Sequence, residues 1–316
     1  MTVKIEDRLR NTALLNKVMP AQEAASLIQD GMTLGLSGFT RAGDAKAVPL
    51  ALVDRANAGE KFKVNVFTGA SLGSDIDAKM ADAGIVNKRL PFQLDRTMRG
   101  HINNQDMYFV DQHLSVTAEY LRQNAINPID IAIVEAVAIT EDGMLIPTTS
   151  VGNSPIYIQK AKQVIIELNL GSYEALEGIH DIYIPEEQGI RGAIPLVHAS
   201  DRIGTIGIPL DLNKVAAIVL TEQVDSPTTM ASIDTETQEI ADHIIEFLRN
   251  EVQEGRLTKS LAPLQSGVGS VANAVLGGLV NSEFKDLEVY SEVLQDSVFD
   301  LIDAGKVKFA SGCATS

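Results

Sequence analysis

Tryptophan is absent from this 316-residue chain, and cysteine occurs only once, at Cys313. A single cysteine cannot form a disulfide within the chain, and it leaves no cysteine–histidine cluster of the kind that holds zinc. The five histidines are not spaced as in metal-binding motifs such as H-E-x-x-H. We therefore expect no metal site and a reducing, cytoplasmic setting.

Positive charge is also scarce, since 26 Lys and Arg residues stand against 42 Asp and Glu, for a net charge of −16. Without a basic stripe, the chain is poorly suited to neutralise the phosphates of nucleic acids or of anionic membranes. No segment reaches the roughly 20 apolar residues of a membrane span. The N-terminal stretch, MTVKIEDRLRN, has no apolar run and does not match a signal or transit peptide. We expect neither a nucleic-acid partner nor a membrane partner.

Apolar runs of strand length alternate along the chain with segments of helical period. The apolar runs, most of them continuous, predict strands at Met32–Leu36, Lys63–Phe67, Ile129–Ile139, Gln163–Leu168, Val215–Thr221 and Leu287–Tyr290. Helical periodicity predicts helices at Ala21–Gln29, Val48–Ala58, Ser115–Ala125 and Thr235–Glu254. Continuous apolar strands are covered on both faces, so this alternation predicts an α/β fold with mostly parallel sheets.

A glycine turn, a helix, a strand and a carboxylate follow one another between Gln265 and Asp296. The turn, Gly267-Val268-Gly269, can bring backbone N–H groups close to a ligand because glycine lacks a Cβ. The helix predicted at Ser270–Val280 would present its unpaired N–H groups beside the turn, a setting for a phosphate, a carboxylate or an oxyanion. Glu292 stands at the end of the strand that follows.

On the residues alone, three interpretations of this stretch are open. Gly267, Gly269 and Ala272 match the dinucleotide fingerprint G-x-G-x-x-A, with Glu288 or Glu292 as the acid that holds a ribose. The fingerprint normally follows a buried strand, whereas the preceding residues, LAPLQS, are short, polar and contain a proline. In the second interpretation Glu292 is a nucleophile. In the third, the stretch is an ordinary connection that carries a solvated acid.

Two other loops are candidates for a substrate pocket. The loop Gly38–Lys46 follows the first predicted strand, at the edge where open α/β sheets bind ligands. The loop Thr68–Ser74 follows the second strand, and its hydroxyl and amide groups could hold an anion. The residues that we expect to line the pocket are Gly38, Phe39, Thr40, Thr68 and Gly69. The alternative is that both are plain loop connections.

The segments GVGSVANAVLGGL and DLEVYSEVLQDSVFDLIDAGK resemble the acetyl-CoA hydrolase/transferase family, which includes succinyl-CoA:acetate and related class I CoA-transferases. Four upstream segments resemble the same family in the same order: Gly38–Pro49, Val164–Asn169, Glu177–Tyr183 and Asp201–Pro209. The resemblance implies two similar α/β domains with the active site in the cleft between them. It also implies acyl-CoA and small carboxylates as substrates, no tightly bound cofactor, and a homo-oligomer, which we expect to be a dimer.

The resemblance further implies roles for individual residues. Glu292 would be the catalytic nucleophile, and the Val268 amide would be an oxyanion donor. The residues expected to line the thioester and pantetheine end of coenzyme A are Gly267, Val268, Gly269, Ser270 and Val271. The implied reaction moves coenzyme A between acetate-like or succinate-like acids through a glutamyl-CoA thioester. An acyl-CoA hydrolase would use the same residues, and a non-catalytic CoA-binding or assembly module is the alternative from another class.

The polar stretch from Thr221 to Ser232 contains Pro227 and separates the last strand of one unit from the helix of the next. We place a domain boundary there, with a first CoA-transferase-like domain at residues 1–222 and the first part of a second at 223–316. Members of the resembled family are longer than this chain. We therefore expect the second domain to be truncated here.

Overall fold

The computed structural model describes residues 4–226, 233–261 and 263–315. The chain divides into two compact units, one formed by Met1–Ile194 with Ile203–Pro227, the other by Pro195–Arg202 with Thr228–Ser316. The domain boundary expected near residue 222 stays a prediction, and residues 227–232 of that segment lie outside the described residues. No helix within the described ranges is both long enough and apolar enough to cross a membrane.

The first unit contains a nine-stranded sheet in its described part. Its strands are β1 Thr33–Leu36, β2 Val64–Phe67, β3 Val86–Leu90, β4 Tyr108–Phe109, β5 Ile131–Ile139, β6 Met144–Pro147, β7 Gln163–Asn169, β8 Ile208–Pro209 and β9 Val215–Thr221. Its α-helices are α1 Ile5–Arg8, α2 Ala21–Ser26, α3 Ala47–Asn57, α4 Ser74–Asp82, α5 Arg96–Asn103, α6 Leu114–Arg122 and α7 Ser154–Lys160. Short 3₁₀-helices span Thr12–Lys17, Glu174–Leu176 and Leu212–Lys214.

Seven strands of this sheet are parallel, in the order β4-β3-β2-β1-β5-β7-β9. Strands β6 and β8 extend it in the antiparallel sense from the second half of β5. All nine residues of β5 are buried, as expected for a central strand that is covered on both faces. The prediction of an α/β fold with a mostly parallel sheet is confirmed.

The direction of winding reverses between β1 and β5. From β1 the chain builds outward through β2, β3 and β4, and it then returns to pair β5 with the other side of β1. In open α/β sheets, the crevice at the carboxyl ends of two such strands is the usual ligand site. The loop that follows β1, residues 37–46, lies at this reversal.

The sheet separates two apolar clusters because successive side chains of a strand point to opposite faces. Ile131 and Ile133 of β5 belong to one cluster, together with residues of α2, α3 and α4. Ala132 and Val134, the alternate residues, belong to the other cluster, which includes Tyr157 of α7. The continuous apolar sequence of β5 thus supplies both faces at once.

Gly35, in the middle of β1, is packed against the ring of Tyr157. A Cβ at Gly35 would lie 2.8 Å from the Cγ of this fully buried tyrosine, whose hydroxyl donates to the Thr68 carbonyl at 2.7 Å. We expect Gly35→Ala to lower the free energy of unfolding by about 1–3 kcal/mol through overpacking, as measured by urea denaturation.

Gly100→Ala is the matched control for this change. A Cβ at Gly100 would meet no atom within 4 Å, and alanine is favoured over glycine inside a helix such as α5 by about 0.5–1 kcal/mol. The control should therefore be neutral or stabilising. A Gly35→Ala variant as stable as this control would contradict the close packing of β1 on α7.

The second unit contains three helices and four strands within its described residues: α8 Thr235–Gln253, α9 Ser270–Val280, β10 Leu287–Tyr290, β11 Val293–Leu294, α10 Asp296–Asp303, β12 Val307–Ser311 and β13 Ala314–Thr315. Strand β10 pairs with β12 and β11 pairs with β13, both in the parallel sense. Its apolar core includes Leu276, Leu279, Leu287, Val289, Val298 and Leu301. The helix predicted at Ser270–Val280 and the strand predicted at Leu287–Tyr290 have the predicted bounds.

Candidate functional site

A glycine turn at residues 266–269 leads directly into helix α9. Gly269 precedes the helix with a φ of 148°, a conformation that residues with a side chain rarely adopt. At Gly267 and at Gly269, a Cβ would meet no atom within 4 Å, so the turn faces open space. The first N–H groups of an α-helix lack intrahelical acceptors and carry partial positive charge. The turn is therefore suited to bind an anionic or polarised oxygen atom.

Val268 lies at the centre of this turn, and the residue is 63% exposed. Its N–H has no acceptor among the residues that the structure describes. The neighbouring Gly269 N–H is already used, because it donates to Gln295 Oε1 at 3.3 Å. The Val268 amide is therefore available to a ligand, although its role as an oxyanion donor stays a prediction.

Glu292 lies on the bend between β10 and β11, and its side chain is exposed. Two backbone hydrogen bonds to the neighbouring segment hold the chain at Glu292. The Ser291 N–H donates to the Ser311 carbonyl, and the Cys313 N–H donates to the Glu292 carbonyl, each at 2.9 Å. Within the described part of the chain, the Glu292 carboxylate makes no hydrogen bond and no ion pair. Glu292 thus places an unpaired carboxylate on a fixed backbone.

The Cys313 thiol is the other potential nucleophile on this segment. Partial loss of hydration and the negative charge of Glu292 raise the pKa of the thiol. Because the thiolate is the reactive form of cysteine, a raised pKa makes Cys313 a weaker competitor at neutral pH. Glu292 therefore remains the better candidate for the nucleophile.

Two side chains join the glycine turn to the segment that carries Glu292. The Ser291 hydroxyl donates to the Ser266 carbonyl at 2.9 Å and accepts from the Ser266 N–H at 3.3 Å. The Gln295 side chain donates to the Gly267 carbonyl at 2.7 Å, in addition to its bond with the Gly269 N–H. Neither residue was predicted from the sequence, because no local pattern relates them to a turn 25 to 28 residues earlier.

A pocket of about 550 Å³ opens beside the turn. Its walls are the turn itself, the first two turns of α9, and apolar side chains that include Ile244 and Leu248 of α8. Of the predicted cofactor-binding residues, the structure places all five on this pocket: Gly267, Val268, Gly269, Ser270 and Val271. A largely apolar cavity with a few convergent polar groups is the usual form of a small-molecule site.

The dinucleotide interpretation needs a buried strand immediately before the glycine turn. Among the described residues of the segment before the turn, Leu264 makes an isolated bridge with Val289, and Gln265 is exposed. The strand–turn–helix arrangement of a dinucleotide fold is thus incomplete at this position. The geometry therefore disfavours the dinucleotide interpretation, and the role of Glu292 as a nucleophile stays a prediction.

The five residues predicted for a substrate pocket come together in the first unit, but four of them are buried. A Cβ at Gly69 would lie 2.6 Å from the Gly38 carbonyl, so the two loops are in direct contact. The Thr68 hydroxyl is fully buried, donates to the Ala70 carbonyl and accepts from Arg89 at 2.6 Å. It is therefore not free to bind an anion. Of this group, only Thr40 is partly exposed.

A largely buried charge cluster lies where the end of β1 adjoins the middle of β5. The Lys46 ammonium lies 3.0 Å from the Glu135 carboxylate and 2.8 Å from that of Asp225, and it donates to the Asp44 carbonyl at 2.6 Å. Burial alone would lower the pKa of Lys46, but the two carboxylates raise it above its usual value. Burial raises the pKa of Glu135 to about 7, against the opposing charge of Lys46. We call these residues the Lys46 cluster.

A second buried carboxylate, Glu167, lies at the start of α3. It accepts the N–H groups of Lys46, Ala47 and Val48 at 2.7–2.9 Å, and it thereby satisfies the unpaired donors of the helix. Neither carboxylate was predicted from the sequence. The available signal was a single charged residue inside a run of buried apolar residues, Glu135 in β5 and Glu167 in β7.

Comparisons of the chain with known families and proteins agree with one another. Residues 3–223 match the acetyl-CoA hydrolase/transferase N-terminal domain. Over 312 residues the chain is 46% identical to a succinyl-CoA:acetate CoA-transferase of Clostridium kluyveri, covering 98% of this chain and 58% of the relative. Over 317 residues it is 40% identical to an acetyl-CoA hydrolase of Saccharomyces cerevisiae, covering 97% of this chain and 60% of the relative. The chain thus spans somewhat less than two thirds of the length of these relatives.

The fold also has a solved counterpart. The crystal structure of RipA from Yersinia pestis superposes with a TM-score of 0.68 and 20% sequence identity, covering 94% of this chain and 64% of RipA. At this identity the likeness concerns the fold alone.

Proposed function

The chain belongs to the acetyl-CoA hydrolase/transferase family, and from this premise we propose that it serves the transfer of coenzyme A between small carboxylic acids, with Glu292 as the nucleophile. The observation that carries the proposal is the unpaired Glu292 carboxylate on a backbone held by strand pairing. Its segment is hydrogen-bonded through Ser291 and Gln295 to a turn that presents a free Val268 amide. The proposal thus has a nucleophile and an oxyanion donor on joined segments.

In the proposed reaction, a Glu292 carboxylate oxygen attacks the thioester carbonyl carbon, and the C–S bond breaks. The products are a mixed anhydride and the thiolate of coenzyme A. The thiolate then attacks the glutamyl carbonyl carbon of the anhydride and expels the original acid as a carboxylate, which leaves a glutamyl-CoA thioester. An acceptor carboxylate repeats these steps in reverse order, forming a new acyl-CoA and restoring Glu292. No proton is gained or lost in this sequence.

The Val268 amide would stabilise the oxyanion that forms on the attacked carbonyl. One preplaced donor of this kind typically contributes about 2.7–4 kcal/mol to transition-state stabilisation. The partial positive charge at the start of α9 acts in the same direction. Gly267, Gly269, Ser270 and Val271 would contact the thioester end of the substrate along the pocket.

Hydrolysis of the acyl-CoA is the second candidate, and the exposure of Glu292 favours it. Because the Glu292 side chain is open to solvent, water can reach an intermediate formed there. The hydrolase relative from S. cerevisiae is also 40% identical to this chain. The residues with a role would be the same in both reactions.

One assay separates the two candidates. The protein is incubated with acetyl-CoA, with and without succinate, and both total thioester and succinyl-CoA are followed. A transferase conserves thioester and forms succinyl-CoA only when succinate is present, whereas a hydrolase consumes thioester without an acceptor. Binding of coenzyme A without either reaction would contradict both. A homo-oligomeric state, a cytoplasmic setting and the lack of a tightly bound cofactor stay predictions.

Gly267 offers a test of the proposed substrate contact at the turn. Its φ lies outside the positive range and a Cβ there meets open space, so Gly267→Ala should change the free energy of unfolding by no more than about 0.5 kcal/mol. The added methyl group should nevertheless hinder approach of a thioester and lower kcat/KM for acetyl-CoA. Gly100→Ala, in α5, controls for an alanine substitution at a glycine that also lacks a positive φ and whose Cβ also meets open space, remote from the turn. An unchanged kcat/KM in Gly267→Ala would remove the turn from the substrate site.

A further inference from the structure

We propose that Gln295 is a positioning residue for the reaction: its side-chain amide fixes the glycine turn, and hence the Val268 N–H, relative to Glu292. The proposal rests on the function proposed above. It assigns to Gln295, and in a supporting role to Ser291, the task of holding an oxyanion donor in place before substrate arrives.

The Gln295 amide bonds to the turn on both sides of Val268. Its Nε2 donates to the Gly267 carbonyl at 2.7 Å, and its Oε1 accepts from the Gly269 N–H at 3.3 Å. The orientation of the amide follows from these partners, because a carbonyl needs a donor and an N–H needs an acceptor. Between these two bonds the Val268 N–H is left with no acceptor among the described residues. The arrangement therefore fixes the peptide units around Val268 without using its donor.

Gln295 does not serve the helix that it precedes. It occupies the N-cap position of α10, where a side-chain oxygen commonly accepts an N–H of the first turn, yet its side chain makes no such bond. Gln295 is also only 3% exposed, so its amide depends on protein partners for its hydrogen bonds. Both polar atoms find those partners on the glycine turn. The side chain thus serves the turn and not its own helix.

Ser291 holds the other end of the turn. Its hydroxyl exchanges hydrogen bonds with both backbone groups of Ser266, as described above, and it is 8% exposed. Ser291 and Gln295 flank Glu292 in the chain, one residue before it and three after it. The turn is therefore tied to the nucleophile's own segment at two points, by four hydrogen bonds.

Such anchoring matters because an oxyanion donor acts through its placement. A displacement of about 1 Å in a catalytic arrangement can lower the rate about 100-fold. Glycine residues on both sides of Val268 allow the free turn many conformations, so something outside the turn must select one of them. Gln295 is the side chain that bonds to both glycines.

The first test is Gln295→Met, which keeps approximate side-chain size and removes both hydrogen bonds. We expect kcat to fall about 100-fold with acetyl-CoA, with little change in KM, because the loss falls on the transition state. Urea unfolding of the same protein reports whether the fold is retained. Ser291→Ala should give a smaller loss of the same kind.

Gln295→Glu provides a readout that a merely structural role would not give. An ionised carboxylate can accept from the Gly269 N–H but cannot donate to the Gly267 carbonyl, whereas the protonated carboxyl can do both. The ratio of variant to wild-type kcat should therefore rise as the pH is lowered from 8 to 5.5. Glu292, Asp296 and Cys313, the titratable groups on the adjoining segments, are common to both proteins, so their effects largely cancel in the ratio.

The results distinguish the two proposals. If Gln295→Met keeps wild-type kcat while Glu292→Ala is inactive, the positioning role of Gln295 is wrong and the proposed function stands. A Gln295→Glu ratio that does not change with pH also contradicts the positioning role. If Glu292→Ala turns over normally, the proposed function fails, and the role of Gln295 fails with it.

Discussion

Replacement of Glu292 by alanine or by glutamine is expected to reduce turnover of acetyl-CoA to background. Alanine removes the nucleophile, and glutamine keeps nearly the same shape but lacks the anionic oxygen that attacks the thioester. The effect on stability should be small, because the side chain is exposed and makes no hydrogen bond or ion pair in the described part of the chain. Initial rates of thioester loss and of succinyl-CoA formation measure the effect.

Glu288→Gln is the matched control for Glu292→Gln. Glu288 lies on β10, four residues before Glu292, and its carboxylate pairs with Lys308 at 3.2 Å. Loss of a surface pair of this kind costs about 0–1 kcal/mol and should leave turnover unchanged. If Glu292→Gln retained the rate of this control, Glu292 would not be the nucleophile.

The second large effect is expected on stability, from Lys46→Met. This change removes the positive charge that pairs with Glu135 and Asp225, and Glu135 is 2% exposed. Removal of one partner from a buried ion pair typically costs about 3–5 kcal/mol, because it leaves a buried charge without compensation. We expect a loss of this size in the free energy of unfolding, measured by urea denaturation at pH 8.

The loss in the free energy of unfolding caused by Lys46→Met should become smaller as the pH falls. Burial raises the pKa of Glu135 to about 7 in the folded protein, above its value of 4.5 in an unfolded chain. Between these two pKa values the folded state binds more protons than the unfolded state. Glu135 therefore lowers the free energy of unfolding as the pH rises from the unfolded to the folded pKa. Without Lys46 the folded pKa rises further, which makes the penalty larger at pH 8 than at pH 5.

Lys162→Met serves as the control within the same unit. Lys162 is 67% exposed and pairs with Asp130 at 2.7 Å, so its loss should cost no more than about 1 kcal/mol. A Lys46→Met variant as stable as this control at pH 8 would contradict the structure of the Lys46 cluster.

The strands that the sequence predicts correctly are those formed by runs of apolar residues, because such runs indicate burial. Strand β5 is the clearest case, because all nine of its positions are buried. Strand β3 was missed, since its sequence, VNKRL, contains two cations. Arg89 is nevertheless fully buried, where it donates to Thr68 and pairs with Asp77 at 3.3 Å. A cation whose partners lie 12 and 21 residues away leaves no local pattern to detect.

The candidate site could likewise be predicted only where its residues form a local sequence pattern. The glycine turn, the start of α9 and Glu292 could be found because turn chemistry and helix ends have local signatures, and the resemblance to a known family identified the carboxylate. Gln295 could not be found, because its bonds to Gly267 and Gly269 depend on how β10, β11 and α9 pack together. Burial of Thr68 also had no local sign, since a small hydroxyl residue after a strand suits a loop or a packed turn equally well.

Trapping the covalent intermediate is the most direct test of Glu292 as the nucleophile. The protein is mixed with acetyl-CoA in the absence of an acceptor acid, quenched, digested and examined by mass spectrometry. We predict a covalent adduct that adds the mass of coenzyme A less one water, in thioester linkage, to the peptide that contains Glu292, and its loss in Glu292→Gln. An adduct that maps to another residue, for example to Cys313 as a disulfide, with none at Glu292 under conditions of turnover, would contradict the proposed nucleophile.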